Sequence, residues 1–320
     1  MIKSFIKSVG GYLPKKIVTN DELSKTVDTS HEWIFTRTGI SQRHIAEENE
    51  YTSDMCCKAA EIAIENAGIK KEDIDLIIVA TTTPDQTFPS TAALTQKKLG
   101  MSNTECAAFD VQAVCSGFVY ALSIADSLIK TGKHKNALVL GADKMSSIVD
   151  WNDRGTCVLF GDGAGAVILS VTENDSESSI IDFDIKADGS LDEILYTDGG
   201  IGSNNKSGVV KMNGREVFRH AVEKMSRSLL ELMQRNSINP QDIAYVVPHQ
   251  ANLRIINAVA KKLSLDESKA IATVEKHSNT SAASIPLALY ENYTRFNRGD
   301  IVLMTAAGGG FTWGSMLLKW

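Results

Sequence analysis

A chain of 320 residues that is 43% hydrophobic and 22% charged can bury a large core, as one domain or two closely packed ones. Its net charge of −6 argues against general affinity for nucleic acid, and no run approaches the ~20 apolar residues that would span a membrane. The start, Met1 to Lys7, is too short and too often interrupted by charge for a signal peptide, and the five cysteines follow no disulfide-rich spacing, so reduced thiols in a cytoplasmic protein are expected.

Taken in chain order, the first informative element is a helix around 33–38, with Thr29 and Glu32 placed to form a capping box and Gly39 placed to end it. Trp33 and Arg37 are four apart on it and share a face, which suits either a surface cation–aromatic pair or a grip on an adenine ring and a phosphate. A helix over 53–67 ends at Gly68, a buried strand follows at 74–80, and a second helix over 90–99 ends at Gly100. Residues 105–111 read as strand. A helix over 116–131 follows, with apolar residues Phe118, Val119, Ala121, Leu122, Ile124, Ala125, Leu128 and Ile129 spread around most of its circumference. Such a helix belongs between layers rather than on a surface. Another buried strand at 137–141 completes an alternation typical of α/β folds with mostly parallel strands.

The glycine run Gly161-Asp162-Gly163-Ala164-Gly165-Ala166 superficially fits a dinucleotide fingerprint. A strand-like run follows it where that fingerprint requires a helix, so it is read as a turn between strands and no nucleotide cofactor is expected. The polar stretch 172–179 is the best boundary and divides the chain into halves of 1–172 and 173–320. The grammar then repeats. The segment from Ile69 to Ile78 is echoed from Ile238 to Val247, and that from Lys135 to Ala142 is echoed from Gly299 to Ala306. The second echo, carried onto the residues discussed next, pairs Cys115 with Asn279.

Three short segments look built to hold a reacting atom. Cys115 sits between a strand and the first turn of the buried helix, where unpaired N–H groups and the helix dipole stabilise a thiolate. A drop of about one to two units from the ordinary thiol value near 8.5 is expected there, making it nucleophilic at neutral pH. Cys106 and Cys157, inside apolar runs, read as small buried hydrophobes, and the adjacent pair Cys56 and Cys57 suits neither zinc nor a disulfide. His249 follows Tyr245-Val246-Val247-Pro248, at the carboxyl end of a strand where open α/β sheets bind ligands, although a core histidine is the plainer reading. Asn279 precedes an apolar helical stretch and alone reads as a cap. Together a thiol, an imidazole and a carboxamide make a nucleophile with an oxyanion-stabilising pair. The run Ala307-Gly308-Gly309-Gly310-Phe311 reads as a hairpin or as backbone offering an N–H to an oxyanion.

With those residues placed, the chain resembles the β-ketoacyl-acyl-carrier-protein synthase III family of the thiolase superfamily, the initiating condensing enzymes of type II fatty-acid synthesis. The resemblance runs essentially end to end. It is carried by W-I-F-T-R-T-G-I at 33–40, V-C-S-G-F at 114–118, F-G-D-G-A-G-A at 160–166, P-H-Q-A-N-L-R-I at 248–255, N-T-S-A-A-S at 279–284 and G-G-G-F-T-W-G-S at 308–315. It implies two duplicated α/β halves forming a five-layered αβαβα core, with the nucleophile in the first half and the His/Asn pair in the second.

It further implies that Cys115 takes acetyl from acetyl-CoA, and that malonyl-acyl carrier protein then binds and loses carbon dioxide. The resulting enolate would attack the acetyl thioester to give acetoacetyl-acyl carrier protein. His249 and Asn279 would hold the enolate oxygen, and the N–H groups of Cys115 and Gly309 the other oxyanion. Trp33, Arg37 and Arg154 would grip CoA, with Gly214, Phe218 and Asn252 along the pantetheine tunnel. Gln250, Ala251, Asn252, Leu253 and Arg254 would form the carrier-binding segment, helped by Lys261 and Lys262. Phe88 would reach a partner subunit's acyl pocket, implying a homodimer. No metal and no cofactor beyond these thioester substrates is implied. Two departures stand out: Arg215 occupies a position where the family often has a small amide, and Ser116 replaces a common alanine, a change expected to be tolerated. A longer or branched primer, or a polyketide role, is the alternative within the superfamily. The order Cys…His…Asn also occurs in papain-like peptidases, but their C-G-S-C-W-like setting is absent here. A binding protein that has lost catalysis is disfavoured by the complete triad.

Overall fold

The computed structural model describes residues 2–101, 104–172 and 178–320. The stretch 173–177, on which the expected boundary between halves falls, lies outside the described residues. A five-stranded sheet is ordered Lys3–Tyr12, Gly163–Thr172, Asn136–Asp143, Leu76–Ala80, Ala107–Val111. Its first two pairings are antiparallel and its last two parallel. A four-stranded sheet is ordered Ile243–Pro248, Ile301–Gly308, Thr312–Lys319, Ser179–Ala187, with the first pairing parallel and the others antiparallel. The second sheet thus repeats four strands of the first, and a lone parallel bridge between Val246 and Ala270 stands where a fifth would pair.

The inner strands Leu76–Ala80, Asn136–Asp143 and Ile301–Gly308 read as mainly apolar runs because both faces of the sheets are covered there. In Leu76–Ala80, alternate residues feed different cores. Leu76, Ile78 and Ala80 join the central cluster, and Ile77 and Val79 join the outer one beneath helix Thr52–Ala67. The central cluster holds helices Gly117–Lys130 and Ser284–Asn292 between the two sheets. Helices Gly214–Arg235 and Leu253–Lys262 cover the outer face of the second sheet. Helix, sheet, helix, sheet, helix: the five-layered α/β core expected from the family resemblance is present. The middle helix Gly117–Lys130 is buried as its apolar circumference requires, and its one acidic residue, Asp126, is neutralised by Lys130 at 2.7 Å and bonded by Ser4 Oγ at 2.7 Å. Among the described residues no helix is long and apolar enough to cross a membrane.

Local signals placed most element ends. Gly39, Gly68 and Gly100 adopt φ of 75°, 63° and 77°, the left-handed conformation that lets a helix stop. The capping box at Thr29 and Glu32 is corrected: helix His31–Thr38 is capped by Ser30, whose side chain accepts from Trp33 N–H. The expected turn between strands at 161–166 is corrected: Gly163, Ala164, Gly165 and Ala166 already belong to strand Gly163–Thr172 and are paired with its neighbours. The glycines leave room for helix Ser284–Asn292, since a Cβ on Gly165 would stand 2.7 Å from Leu287 N. Cys157 is buried, whereas Cys106 is only half-buried, because strand Ala107–Val111 lies at a sheet edge with one flank uncovered.

The pairing of Cys115 with Asn279 is also corrected. Val114 and Ser281 both have positive φ, 47° and 51°. Each opens a three-residue 3-10 turn, Val114–Ser116 and Ser281–Ala283, that runs into a middle-layer helix. The structural counterpart of Cys115 is therefore Ala282, and Asn279 lies three residues ahead of it. Each turn packs against a glycine in the opposite sheet. A Cβ on Gly308 would stand 2.7 Å from Cys115 N, and one on Gly141 would stand 2.1 Å from Ala282 O. No side chain fits at either place.

Candidate active site

Parallel strands deliver the site residues at their carboxyl ends, as topology dictates for open α/β sheets. Cys115 follows strand Ala107–Val111, His249 follows Ile243–Pro248, and Gly309 follows Ile301–Gly308. His249 N–H extends the ladder by donating to Thr305 O at 2.8 Å. Asn279 is held by backbone on both sides: its N–H donates to Leu159 O at 2.9 Å and its C=O accepts from Gly161 N–H at 3.1 Å. Ser278, just before it, has φ 60° and ψ −164°, a strained setting for a residue with a side chain, which the surrounding bonds hold in place.

Two cavities meet at Cys115. The first, about 210 Å³, runs from Trp33, Arg37 and Arg154 inward past Asn252 and Phe218 to Cys115, His249 and Asn279. The second, about 350 Å³, lies beyond the thiol between Thr82, Val114, Met145, Ile148, Leu195 and Gly309. Cys115, Phe160 and Leu195 line both. The sulfur therefore stands where a ligand entering by one cavity can leave part of itself in the other.

Desolvation dominates the electrostatics here. Burial pushes the Cys115 thiol up to about 12; the Ser281 hydroxyl opposes the rise, the nearby Asp143 carboxylate adds to it, and the residue's own N–H weakly opposes it. This overturns the lowered value expected at a helix start: the stabilisation from one N–H is smaller than the cost of a charge in a dry site. Asp143 is itself fully buried and accepts from Thr82 N–H at 2.7 Å, Thr83 Oγ1 at 3.0 Å and Ala282 N–H at 3.1 Å. Burial likewise pushes His249 down to about 3, so the imidazole is neutral at physiological pH. Its Nδ1 lies 2.6 Å from Ser284 Oγ. Asn279 Oδ1 accepts from Ser281 N–H at 2.9 Å, which leaves the –NH₂, a donor, to meet a ligand.

At the mouth of the first cavity, the Arg37 and Arg154 guanidinium carbons lie 4.4 and 4.8 Å from the Trp33 ring centroid, a stack able to take a flat heterocycle and phosphates. Asn252 Nδ2 donates to Arg37 O at 3.1 Å while its Oδ1 caps helix Leu253–Lys262. Gly214 and Ala251 line the same cavity; exposed Arg215 does not. Arg254 is exposed, 5.6 Å from the Phe218 ring, and Lys261 and Lys262 are exposed farther along its helix. Leu253 is half-buried. Gln250 is removed from the partner-binding group: it is wholly buried, donating to Pro248 O and Ile271 O and accepting from Thr273 N–H, and so braces the turn that carries His249. Phe88 is 82% exposed and lines neither cavity of its own chain. Ser116 is bound in place, its Oγ 2.7 Å from Ala113 O and 2.8 Å from Thr312 Oγ1, which ties the nucleophile turn to the start of strand Thr312–Lys319.

Sequence reading missed Asp143, Ser281 and Ser284. Ser281 and Ser284 lie inside the quoted 279–284 run and were visible only as part of it; Asp143, at the end of a buried strand, carried a faint signal as a charge closing an apolar run.

A family model described as 3-oxoacyl-[acyl-carrier-protein (ACP)] synthase III matches residues 109–189, and one for the C-terminal part of that enzyme matches residues 233–320. The chain is 55% identical over 321 residues to the β-ketoacyl-[acyl-carrier-protein] synthase III of Ehrlichia canis (strain Jake), covering 100% of both. It is 56% identical over 313 residues to that of Rickettsia canadensis (strain McKiel), covering 97% of this chain and 98% of the other. Among solved structures, 3-oxoacyl-[acyl-carrier-protein] synthase III from Aquifex aeolicus VF5 superposes with a TM-score of 0.93 at 48% identity, covering 99% of this chain and 100% of that one. The priming β-ketosynthase of the R1128 polyketide pathway superposes with a TM-score of 0.90 at 33% identity, covering 99% and 96%.

Proposed function

From the premise that the chain belongs to the β-ketoacyl-acyl-carrier-protein synthase III family, the acyltransferase-class condensing enzymes that initiate fatty-acid synthesis, we propose how its own residues share out the reaction. Cys115 attacks the thioester carbonyl of acetyl-CoA. The thiol is neutral at rest, so its proton leaves as the carbon–sulfur bond forms and ends on the departing CoA sulfur. The N–H groups of Cys115 and Gly309 stabilise the oxyanion of that step. Malonyl-acyl carrier protein then occupies the first cavity and loses carbon dioxide. His249 and Asn279, both neutral donors, hold the thioester oxygen as it becomes an enolate, whose carbon attacks the carbonyl of acetyl-Cys115. The bond to sulfur breaks, acetoacetyl-acyl carrier protein forms, and the released Cys115 thiolate takes a proton from water to restore the neutral thiol. The observation that carries this reading is the position of Cys115 at the junction of two cavities, with His249 and Asn279 on the wall of one only.

The Trp33, Arg37 and Arg154 stack binds the nucleotide end of CoA, and Gly214, Phe218 and Asn252 flank its pantetheine arm. Arg254, with Lys261 and Lys262, offers local positive charge to an acidic carrier on a protein that is itself acidic overall. The protein works as a cytoplasmic homodimer, each Phe88 closing the partner's second cavity; its exposure in one chain supports that role. The apolar second cavity supports a second reading, in which a longer or branched primer is carried on Cys115. A panel of acyl-CoA primers with malonyl-acyl carrier protein, read by product mass, separates the two. Cys115→Ala should lose labelling by acetyl-CoA and keep some malonyl decarboxylation, and retained condensation in that variant would refute the assignment of the nucleophile.

A further inference from the structure

The two donors assigned to the enolate oxygen are held in different ways. Asn279 presents –NH₂ because its oxygen is taken by Ser281 N–H at 2.9 Å. A neutral imidazole has one N–H and one bare nitrogen, so His249 donates into the cavity it lines only in one of two tautomers. Burial, which keeps the ring uncharged, forces that choice.

The surroundings of Ser284 make the choice. Its Oγ lies 2.6 Å from His249 Nδ1 and accepts from Gln250 N–H at 3.4 Å. Among the described residues its own hydrogen meets no acceptor except that Nδ1. The hydroxyl therefore donates to Nδ1, which must be bare. Ser284 opens the middle-layer helix Ser284–Asn292 and is 2% exposed, so packing on both sides fixes its position.

We infer that Ser284 is a positioning residue that locks His249 in the tautomer with hydrogen on Nε2, turning the ring into a donor for the developing enolate. This rests on the assignment of His249 to that oxygen. Without the hydroxyl, the ring divides between tautomers, and the Nδ1–H form presents a lone pair to a growing negative charge.

The test uses the full-length protein with ¹⁵N-labelled histidine, Ser284→Ala, Ser284→Thr and His249→Ala. The wild-type spectrum should show His249 with a bare Nδ1 and a protonated Nε2 between pH 6 and 8; hydrogen on Nδ1 would overturn the inference, even where a variant fails to fold. Ser284→Ala should lower kcat for malonyl decarboxylation on the order of 10- to 100-fold, with KM moved less than about threefold and acetylation of Cys115 by acetyl-CoA within about twofold. Ser284→Thr, which keeps a hydroxyl, should recover most of that loss. Unchanged decarboxylation in Ser284→Ala, beside a loss in His249→Ala, refutes the tautomer lock alone. No loss in His249→Ala refutes the assignment of His249 and the inference with it.

Discussion

Lowering the pH should expose the buried neutral state of His249 as a stability cost. In the folded chain burial holds the ring down to about 3, against an ordinary value of 6.5. Below 6.5 the unfolded chain therefore binds a proton that the folded chain refuses, and stability falls as pH falls. The contribution is intact above 6.5 and is lost progressively toward 3. Each pH unit in that window costs about 1.4 kcal/mol, so moving from pH 7.5 to pH 5 removes about 2 kcal/mol through this one ring. Two kcal/mol is a sizeable part of the stability of a typical domain. The assay is urea denaturation of wild type and His249→Asn at pH 7.5, 6.5, 5.5 and 5. The asparagine adds a constant offset but has nothing to titrate. His44, also held low by burial, and Asp143 and Asp162, both raised by burial, act on the two proteins alike. The gap between the two curves should therefore close by about 2 kcal/mol on the acid side. Parallel curves from pH 7.5 to 5 would show that His249 is not buried in a neutral state.

Alkylation of Cys115 by iodoacetamide in the free protein should keep rising from pH 8 to pH 10, because the thiol is pushed up to about 12; a plateau by pH 8 would mean an exposed or stabilised thiolate. Gly308→Ala places a methyl 2.7 Å from Cys115 N, so it should cost about 1–3 kcal/mol in urea denaturation and slow acetylation at least about tenfold; wild-type acetylation would rule out that close approach. Arg254→Glu should weaken use of malonyl-acyl carrier protein and spare acetyl transfer from CoA, measured as separate half-reactions, and equal loss in both argues against carrier docking. Phe88→Ala should leave the chain's own fold intact, given 82% exposure, and widen the range of primers accepted; an unchanged product profile removes it from any acyl pocket.

Much of this protein was legible in local pattern. The apolar run at 74–80 read as a buried strand because both of its faces are covered, and Gly39, Gly68 and Gly100 marked helix ends because few other residues adopt positive φ cheaply. Cys115, His249 and Asn279 stood out because each sits where a strand or turn runs out. The errors were of another kind. The capping residue slipped from Ser30 to Thr29, since both are hydroxylated and adjacent. Gln250 was carried into the partner-binding segment with the rest of 250–254 by the family resemblance, and only the packed turn reveals that it points inward. The expected low thiol value counted the helix start and omitted the desolvation imposed by the second half of the chain.

The division has a physical basis. Periodicity, turn chemistry and glycine punctuation arise from neighbours a few residues away, so the sequence alone determined the α/β alternation, the strand-end positions of Cys115 and His249 and the kinds of chemistry on offer. Burial, cavity shape and tautomer depend on atoms contributed by remote segments. Only the tertiary structure decided that Cys115 stands between two cavities as a neutral thiol, that Ala282 rather than Asn279 is its counterpart, and that Ser284, at the start of a middle-layer helix, meets Nδ1 of His249.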